Sequence, residues 1–464
     1  MDKLSNVNIQ QNKSWHMCQF VAKWRILAFY VKQSRLYKRR KREMSANKKR
    51  FHFAWLVLLG LCISVGLAKS GLNSSAGLFL SPVSEDIGVG LGNLTLYLSI
   101  SSIVTMVFLP IGGRLMAKYD TRILLSVAII LQAGAFALFG MMNSVWGWYI
   151  LAMPLAIGGV LITVLAGPVL VNQWFKQRSG LALGIITASG GLIGAFTQPL
   201  IGNLIATQGW RSAYIIVGVA AIIIIVPTII LFLRKSPQEK GLLPYGAADN
   251  NNVEKKVETD ISNTGISFAD AKKSLSFLLL ILFFFIITSI ASFSIHIPTY
   301  LVNQGFSVKF TGNVMAALMV GVLLGSIIFG YLIDKIGAKN TTVIAMSIGL
   351  VSMILLLFFV ESTIAIVVAV GLFGFVTACI GTLAPAITSA LFGNKNYSQI
   401  YSTVSIGLAV AGIIALPAYG YIFDFTGSYT AVLYIIVIML IINIVSVVVA
   451  FRNKEKMVQN GLWK

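Results

Sequence analysis

Acidic side chains are scarce in this sequence: 15 Asp and Glu in 464 residues, against 36 Lys and Arg. Charged residues of both signs make up only 11%, where a soluble domain carries roughly 25%. That shortage excludes an ordinary water-soluble fold and places most of the chain, 57% hydrophobic, in lipid. Cysteine is nearly absent. Cys62 and Cys379 fall in apolar stretches and Cys18 in the N-terminal tail, so no disulfide framework is implied. HExxH, GxSxG and P-loop patterns are missing, and the glycine run GVGLG at 88–92 is too short and too badly placed to hold a nucleotide. These absences argue against an enzyme and against ATP-driven pumping, and no cofactor or metal is expected.

What is plentiful is positive charge, with a net of +21. It is not spread over a fold. Residues 1–50 hold 14 Lys and Arg against 2 acids, and the rest is scattered through loops. The basicity is therefore a tail plus loops rather than a nucleic-acid surface, and no nucleic-acid partner is expected.

Spanning the hydrocarbon core takes about 20 apolar residues as a helix. Twelve segments qualify, near 53–80, 92–116, 123–142, 146–174, 179–207, 211–233, 274–303, 311–333, 341–360, 363–391, 398–423 and 429–451. The expected fold is an all-α membrane protein of twelve transmembrane helices. The domains read as a basic N-terminal tail (1–50), a six-helix half (51–233), a polar linker (234–273), a second six-helix half (274–451) and a short tail (452–464). Lys and Arg in short loops favour the cytoplasm. Arg114, Lys118, Arg122, Lys176, Arg178 and the linker lysines fall on the side of the N-terminus, and only Arg211 and Lys309 on the other. Both termini are therefore expected to be cytoplasmic.

The halves are copies of one unit. Shifted by 217 or 218 residues, GGRLMAKYDTR (112–122) lies over FGYLIDKIGAK (329–339), GPVLVNQWF (167–175) over APAITSALF (384–392), and GAFTQPLIGNLIATQGW (194–210) over GIIALPAYGYIFDFTGS (412–428). Two pseudo-symmetric six-helix halves joined by a linker form a carrier architecture, with the solute site near the midplane between them.

These residues resemble the major facilitator superfamily over 53–451. GGRLMAKYDTR after span 2 looks like that family's signature loop, and GYLIDKIGAK after span 8 matches it better. NQWFKQRSGLALGIITASGG, GWR at 209–211, SPQEKGLLPYG and HIPTYLVNQGFS resemble the monocarboxylate-porter and oxalate–formate-antiporter branch. The resemblance implies gating roles for Gly113, Arg114, Lys118, Asp120 and Arg122 in the first loop and for Gly330, Asp334 and Lys335 in the second. In the family the loop's acid latches one access state. Here Ala117 stands in its place, so the first latch is expected to be weak or rewired through Asp120, while Asp334 keeps the acid in the second copy.

Charge at membrane depth is costly and points to function. Lys69 lies near the middle of span 1, sharing a small, polar face with Gly66, Asn73, Ala76 and Gly77. It faces a water-filled cavity, or it snorkels or bonds carbonyls at a helix break. Branch members often carry an arginine in span 8, where Ser326 stands here, and oxalate carriers a lysine in span 11, which is missing. Lys69 is then the one fixed positive charge in the core, expected to bind an anion from the opposite half. His296, followed by Pro298 and Tyr300, reads either as a packed gate residue or as a proton carrier. Thr163, Ser292, Thr377 and Tyr401 are further candidates for the solute site, each equally explained by a bond to a neighbouring helix.

The run YKRRKRE before Met44 leaves two readings for residues 1–43: an interfacial helix with Phe20, Trp24, Leu27 and Val31 on one face, or a translated ribosome-binding site with synthesis beginning at Met44. The function expected is secondary transport of a small organic anion such as a monocarboxylate across the plasma membrane, by proton symport or anion exchange, as a monomer in the lipid bilayer. Efflux of hydrophobic compounds and a non-transporting membrane sensor are the alternatives.

Overall fold

In lipid a backbone has no water to bond, so a long apolar run satisfies its own groups as a helix. The computed structural model describes residues 52–175, 178–246, 265–393 and 395–459, and its regular elements there are helices, with only isolated β-bridges besides. The basic tail 1–50 with Met44, Lys176, the linker stretch 247–264 and the end 460–464 lie outside the described residues. Residues 1–55 form a unit of their own, in which the Trp55 amide donates to His52 O at 3.0 Å. Residues 56–464 form the second unit, which holds the bundle.

Among the described residues, ten helices are long and apolar enough to cross a membrane, and two of them are each a pair. Ser179–Phe232 turns at Gly209 (φ 79°, ψ 162°) and Val308–Phe358 at Gly337 (φ 81°, ψ 161°). That backbone region is open essentially to glycine alone. The twelve spans are Ala54–Ile87, Leu91–Lys118, Thr121–Met141, Val145–Trp174, 179–208, 210–232, 275–303, 308–336, 338–358, Thr363–Phe392, 397–426 and Thr430–Gln459. Span 1 runs past its expected end at 80 and stops where Gly88 (φ 69°) caps it. Span 12 continues beyond 451 because its last turns still pack: Asn453 donates to Ser276 Oγ at 3.0 Å and Met457 is buried.

The described ends of the linker dock onto repeat-related positions. The Tyr245 amide donates to Trp174 O (2.8 Å) at the end of span 4, and the Ile266 amide to Phe392 O (3.0 Å) at the end of span 10. Large apolar side chains cover the outside of the bundle, Phe196 at 68% exposure and Ile223 at 65% among them. Such a surface is matched to lipid rather than water. Aromatic side chains fill each half: Phe79 stacks on Tyr214 (3.8 Å between centroids) in the first, and Phe293 packs edge-on against Phe373 and Tyr419 in the second.

The halves meet at one end. Take the far end as the one opposite the turn Tyr119–Asp120 between spans 2 and 3. There a Cβ on Gly202 of span 5 would lie 2.9 Å from Gly312 Cα of span 8, so the two backbones touch. Gly77 of span 1 packs against the carbonyl of Ile295 in span 7. Spans 2 and 11 are hydrogen-bonded from Leu91 to Ser102. Pro417 has no N–H to offer the Ile413 carbonyl, and Ser99 of the other half donates to it at 2.6 Å. Below Ser102 the pair parts. Ile103, Met106 and Val107 of span 2 and Ile406 and Val410 of span 11 are exposed, and no heavy atom lies within 4 Å of a Cβ placed on Gly184 or Gly330. A cleft thus runs up from the near end and closes beneath the far-end contacts.

Candidate functional site

The middle of span 1 is not α-helical. Residues Ala68–Asn73 form a π turn, marked by the Ser74 amide donating to Lys69 O at 2.9 Å, a bond of i to i+5. π turns widen a helix locally and occur often at functional sites. Small residues permit this one: Ser70 and Ser75 hydroxyls fold back to Gly66 O (2.7 Å) and Gly71 O (2.5 Å). Gln198 of span 5 braces it from outside, its Nε2 donating to Ser70 O at 3.1 Å. Within the turn only Lys69 and Asn73 are exposed, while Ala68, Ser70, Gly71 and Leu72 are buried.

Lys69 runs past Gly190 of span 5, where a Cβ would sit 3.6 Å from its Cδ. Its ammonium makes no hydrogen bond or ion pair among the described residues. Every described acid stands at a helix end or in a turn, none beside Lys69: Glu85 and Asp86 close span 1, Asp120 precedes span 3 and Asp424 ends span 11. Asn73 is held from span 3. Gln132, fully buried, donates from Nε2 to Asn73 Oδ1 at 3.0 Å. Gly158 and Gly159 of span 4 leave room for it: a Cβ on Gly159 would lie 3.4 Å from Gln132 Nε2. Gln132 Oε1 is buried with no partner among the described residues.

Thr163 lies in a second π turn, Val160–Leu165 of span 4, and its hydroxyl donates to Gly159 O at 2.8 Å. The N-terminal candidates Lys69, Asn73 and Thr163 therefore gather around two facing π turns. The C-terminal ones do not bond to them. Ser292 and Thr377 are half-buried and donate within their own helices, to Thr288 O and Gly374 O, each at 2.8 Å. Tyr401, half-buried, stacks on Tyr397 (5.6 Å) and meets Phe284 edge-on (5.9 Å). His296 has no exposed surface. Its Nε2 faces Leu416 O and its Nδ1 faces the Tyr429 hydroxyl, both at 2.9 Å. A carbonyl only accepts, so Nε2 carries a proton, and in the neutral ring Nδ1 then accepts from the Tyr429 hydroxyl.

The loop residues lie at the near end. Asp120 caps span 3, accepting from Arg122 N (2.8 Å) and pairing with Arg122 Nη2 (3.1 Å). The Arg122 guanidinium bonded to it holds the Asp120 carboxyl below its usual range. Where the family's acid is replaced by Ala117, the main-chain carbonyl of that residue accepts from Lys235 Nζ at 2.7 Å. Arg114 and Asp334 are exposed and have no partner among the described residues; Lys118 and Lys335 lie over Tyr119 and Tyr331, each 5.5 Å from the ring centre. Gly113 and Gly330 are half-buried, with nothing among the described residues within 4 Å of a Cβ. The near-end loops are thus apart, as the cleft requires.

Three residues at these contacts were not among the sequence candidates. Gln132 and Gln198 each interrupt an apolar span, a signal that was there to read, since polar side chains at membrane depth are expensive. Asp424 reads as a helix-end acid, and its partner lies 333 residues away.

The model of the family described as Major Facilitator Superfamily matches residues 56–323 and 304–461. Over 192 residues the chain is 28% identical to the oxalate:formate antiporter of Oxalobacter formigenes, covering 41% of this chain and 44% of that protein. Over 391 residues it is 20% identical to monocarboxylate transporter 12 of Xenopus laevis, covering 82% of this chain and 84% of that protein. In structure it is similar to a bacterial homologue of the human lysosomal transporter Spinster in an inward-facing, unoccupied conformation, with a TM-score of 0.64 at 14% identity over 88% of this chain and 98% of that one.

Proposed function

The chain belongs to the Major Facilitator Superfamily, and from that premise we propose that it carries a small organic anion, a monocarboxylate in the first place, across the plasma membrane. Transport proceeds by alternating access, as proton symport or anion exchange, with the halves 51–233 and 274–451 rocking about the site in a single chain. The bias of Lys and Arg supports cytoplasmic termini, and the cleft then opens to the cytoplasm.

One observation carries the reading. Lys69 is exposed, without an acidic partner among the described residues, at mid-span and beneath the closed end of the cleft. A cation there is costly unless something pairs with it, and a solute carboxylate completes the pair. Asn73, one turn on, offers a second polar contact. The named activities of the two relatives, both anion carriers, support the same solute class. A second reading, efflux of hydrophobic compounds, draws on the exposed apolar side chains of Met106, Val107 and Val410 in the parted stretch of spans 2 and 11.

Counterflow in proteoliposomes with labelled formate, lactate and oxalate tests the proposal. Exchange of one of them, with affinity lowered about tenfold or more in Lys69→Gln, is the expected result, since a charged hydrogen bond contributes about 1.5–3 kcal/mol. Movement of none of the three, together with transport of hydrophobic cations or neutral dyes, would favour efflux.

A further inference from the structure

We propose that Gln132 is a positioning residue that fixes the amide of Asn73, so that the Lys69–Asn73 turn presents donors alone to the solute and selects carboxylates over their neutral amides. The inference rests on the reading of the Lys69 turn as the solute site.

Asparagine has one accepting and one donating end, and a free Asn73 could turn either toward a solute. In this structure Gln132 Nε2 occupies the Oδ1 end at 3.0 Å. The Nδ2 end of Asn73 has no partner among the described residues, and Asn73 is exposed. Lys69, the other exposed residue of the turn, has an ammonium that only donates. The turn therefore offers two donors and no side-chain acceptor. A carboxylate, which has two accepting oxygens and no hydrogen to donate, satisfies both. A primary amide brings one acceptor and an N–H₂ that meets another donor.

Gln132 is suited to impose this choice. It is fully buried and confined by Gly158 and Gly159, where added Cβ atoms would fall 2.9 Å from its Cβ and 3.4 Å from its Nε2. As oriented, its Nε2 gives one N–H to Asn73 Oδ1, while Oε1 is buried without a partner among the described residues. Gln132 also joins spans 1 and 3, as a polar residue in any membrane helix can. A purely structural role would lower stability or overall rate but would not change which solute is preferred.

The experiment reads preference. Inhibition of counterflow is measured with formate, lactate and oxalate and with their neutral counterparts formamide, lactamide and oxamide, in wild type, Gln132→Met, Asn73→Ala and the double variant. The expected result is that Gln132→Met lowers the carboxylate-to-amide affinity ratio about tenfold, the equivalent of one lost charge-assisted bond. Asn73→Ala should lower the ratio similarly, and the double variant should be no worse than Asn73→Ala alone. An unchanged ratio in Gln132→Met, or a further drop when it is added to Asn73→Ala, overturns the proposal. Should Gln132→Met not fold, Asn73→Ala decides alone, because an unchanged ratio there removes the donor Gln132 is said to aim. If wild type binds no carboxylate, the solute-site reading fails and this inference with it; binding with an unchanged ratio overturns only the role of Gln132.

Discussion

Asp424, in the last turn of span 11, caps the first turn of span 2: its carboxylate accepts from the amides of Leu91 at 2.9 Å and Gly92 at 2.8 Å. The first amides of a helix have no partner inside it, and the helix dipole favours an anion there. Glycines let the acid reach them. A Cβ on Gly90 would lie 2.6 Å from Asp424 Oδ2, and one on Gly92 would meet the ring of Tyr421, whose hydroxyl donates to Asn93 Oδ1 at 2.9 Å. This contact ties the halves together at the closed end and must break when that end opens.

Asp424→Asn keeps the size of the side chain and removes its charge. The closed far end should lose about 1.5–3 kcal/mol, and the population should shift toward a far-end-open state by about tenfold or more. Spin labels at Met141 and Glu361, exposed far-end positions on opposite halves, should report a longer mean distance in the variant. The same distance distribution in both proteins would show that the capping bond does not hold the halves.

Asp120 and Arg122 make a local pair and a helix cap rather than a bond across the cleft. Asp120→Ala should therefore cost about 1 kcal/mol of stability at neutral pH. The sign with pH follows from the depressed carboxyl of Asp120. Its stabilisation is complete above the unfolded carboxylate value and is lost as pH falls through the lower folded one. Melting of the two proteins in detergent should differ at pH 7 and converge in acid. A gap that stays constant down to strongly acidic pH would mean that the charge of Asp120 contributes nothing.

His296 is sealed between Leu416 O and the Tyr429 hydroxyl. Replacing it with Phe strands both groups and should destabilise the second half by about 1–3 kcal/mol, seen as a lower melting temperature. The pH profile of uptake, scaled to folded protein, should keep its shape. A profile flattened between pH 5 and 8 would instead make His296 a proton carrier.

The twelve spans were legible because lipid forces long apolar runs into helices, and the 217–218-residue repeat shows their pairing into halves. The breaks at Gly209 and Gly337 stand at glycines next to basic residues, Arg211 and Lys339, so they too could be placed from sequence. Lys69 and Asn73 were legible as a polar face of span 1, but that face was drawn with α-helical spacing. The π turn was not foreseen, since its bracing by Gln198 comes from a residue 128 positions away. It opens only Lys69 and Asn73, while Ala76 is buried and Gly77 packs against Ile295. Gln132 and Asp424 escaped because their meaning depends on partners in other spans: a glutamine in an apolar run, or an acid at a helix end, has an ordinary packing or solvent explanation until its neighbour is known.

The most direct test is counterflow of formate, lactate and oxalate by purified protein in liposomes, with Lys69→Gln beside the wild type. Exchange of a carboxylate by the wild type that falls at least tenfold in apparent affinity in Lys69→Gln is the expected outcome. A Lys69→Gln protein that exchanges the same carboxylate with wild-type affinity would contradict it, because the anion would then be held without the one cation found at mid-span among the described residues.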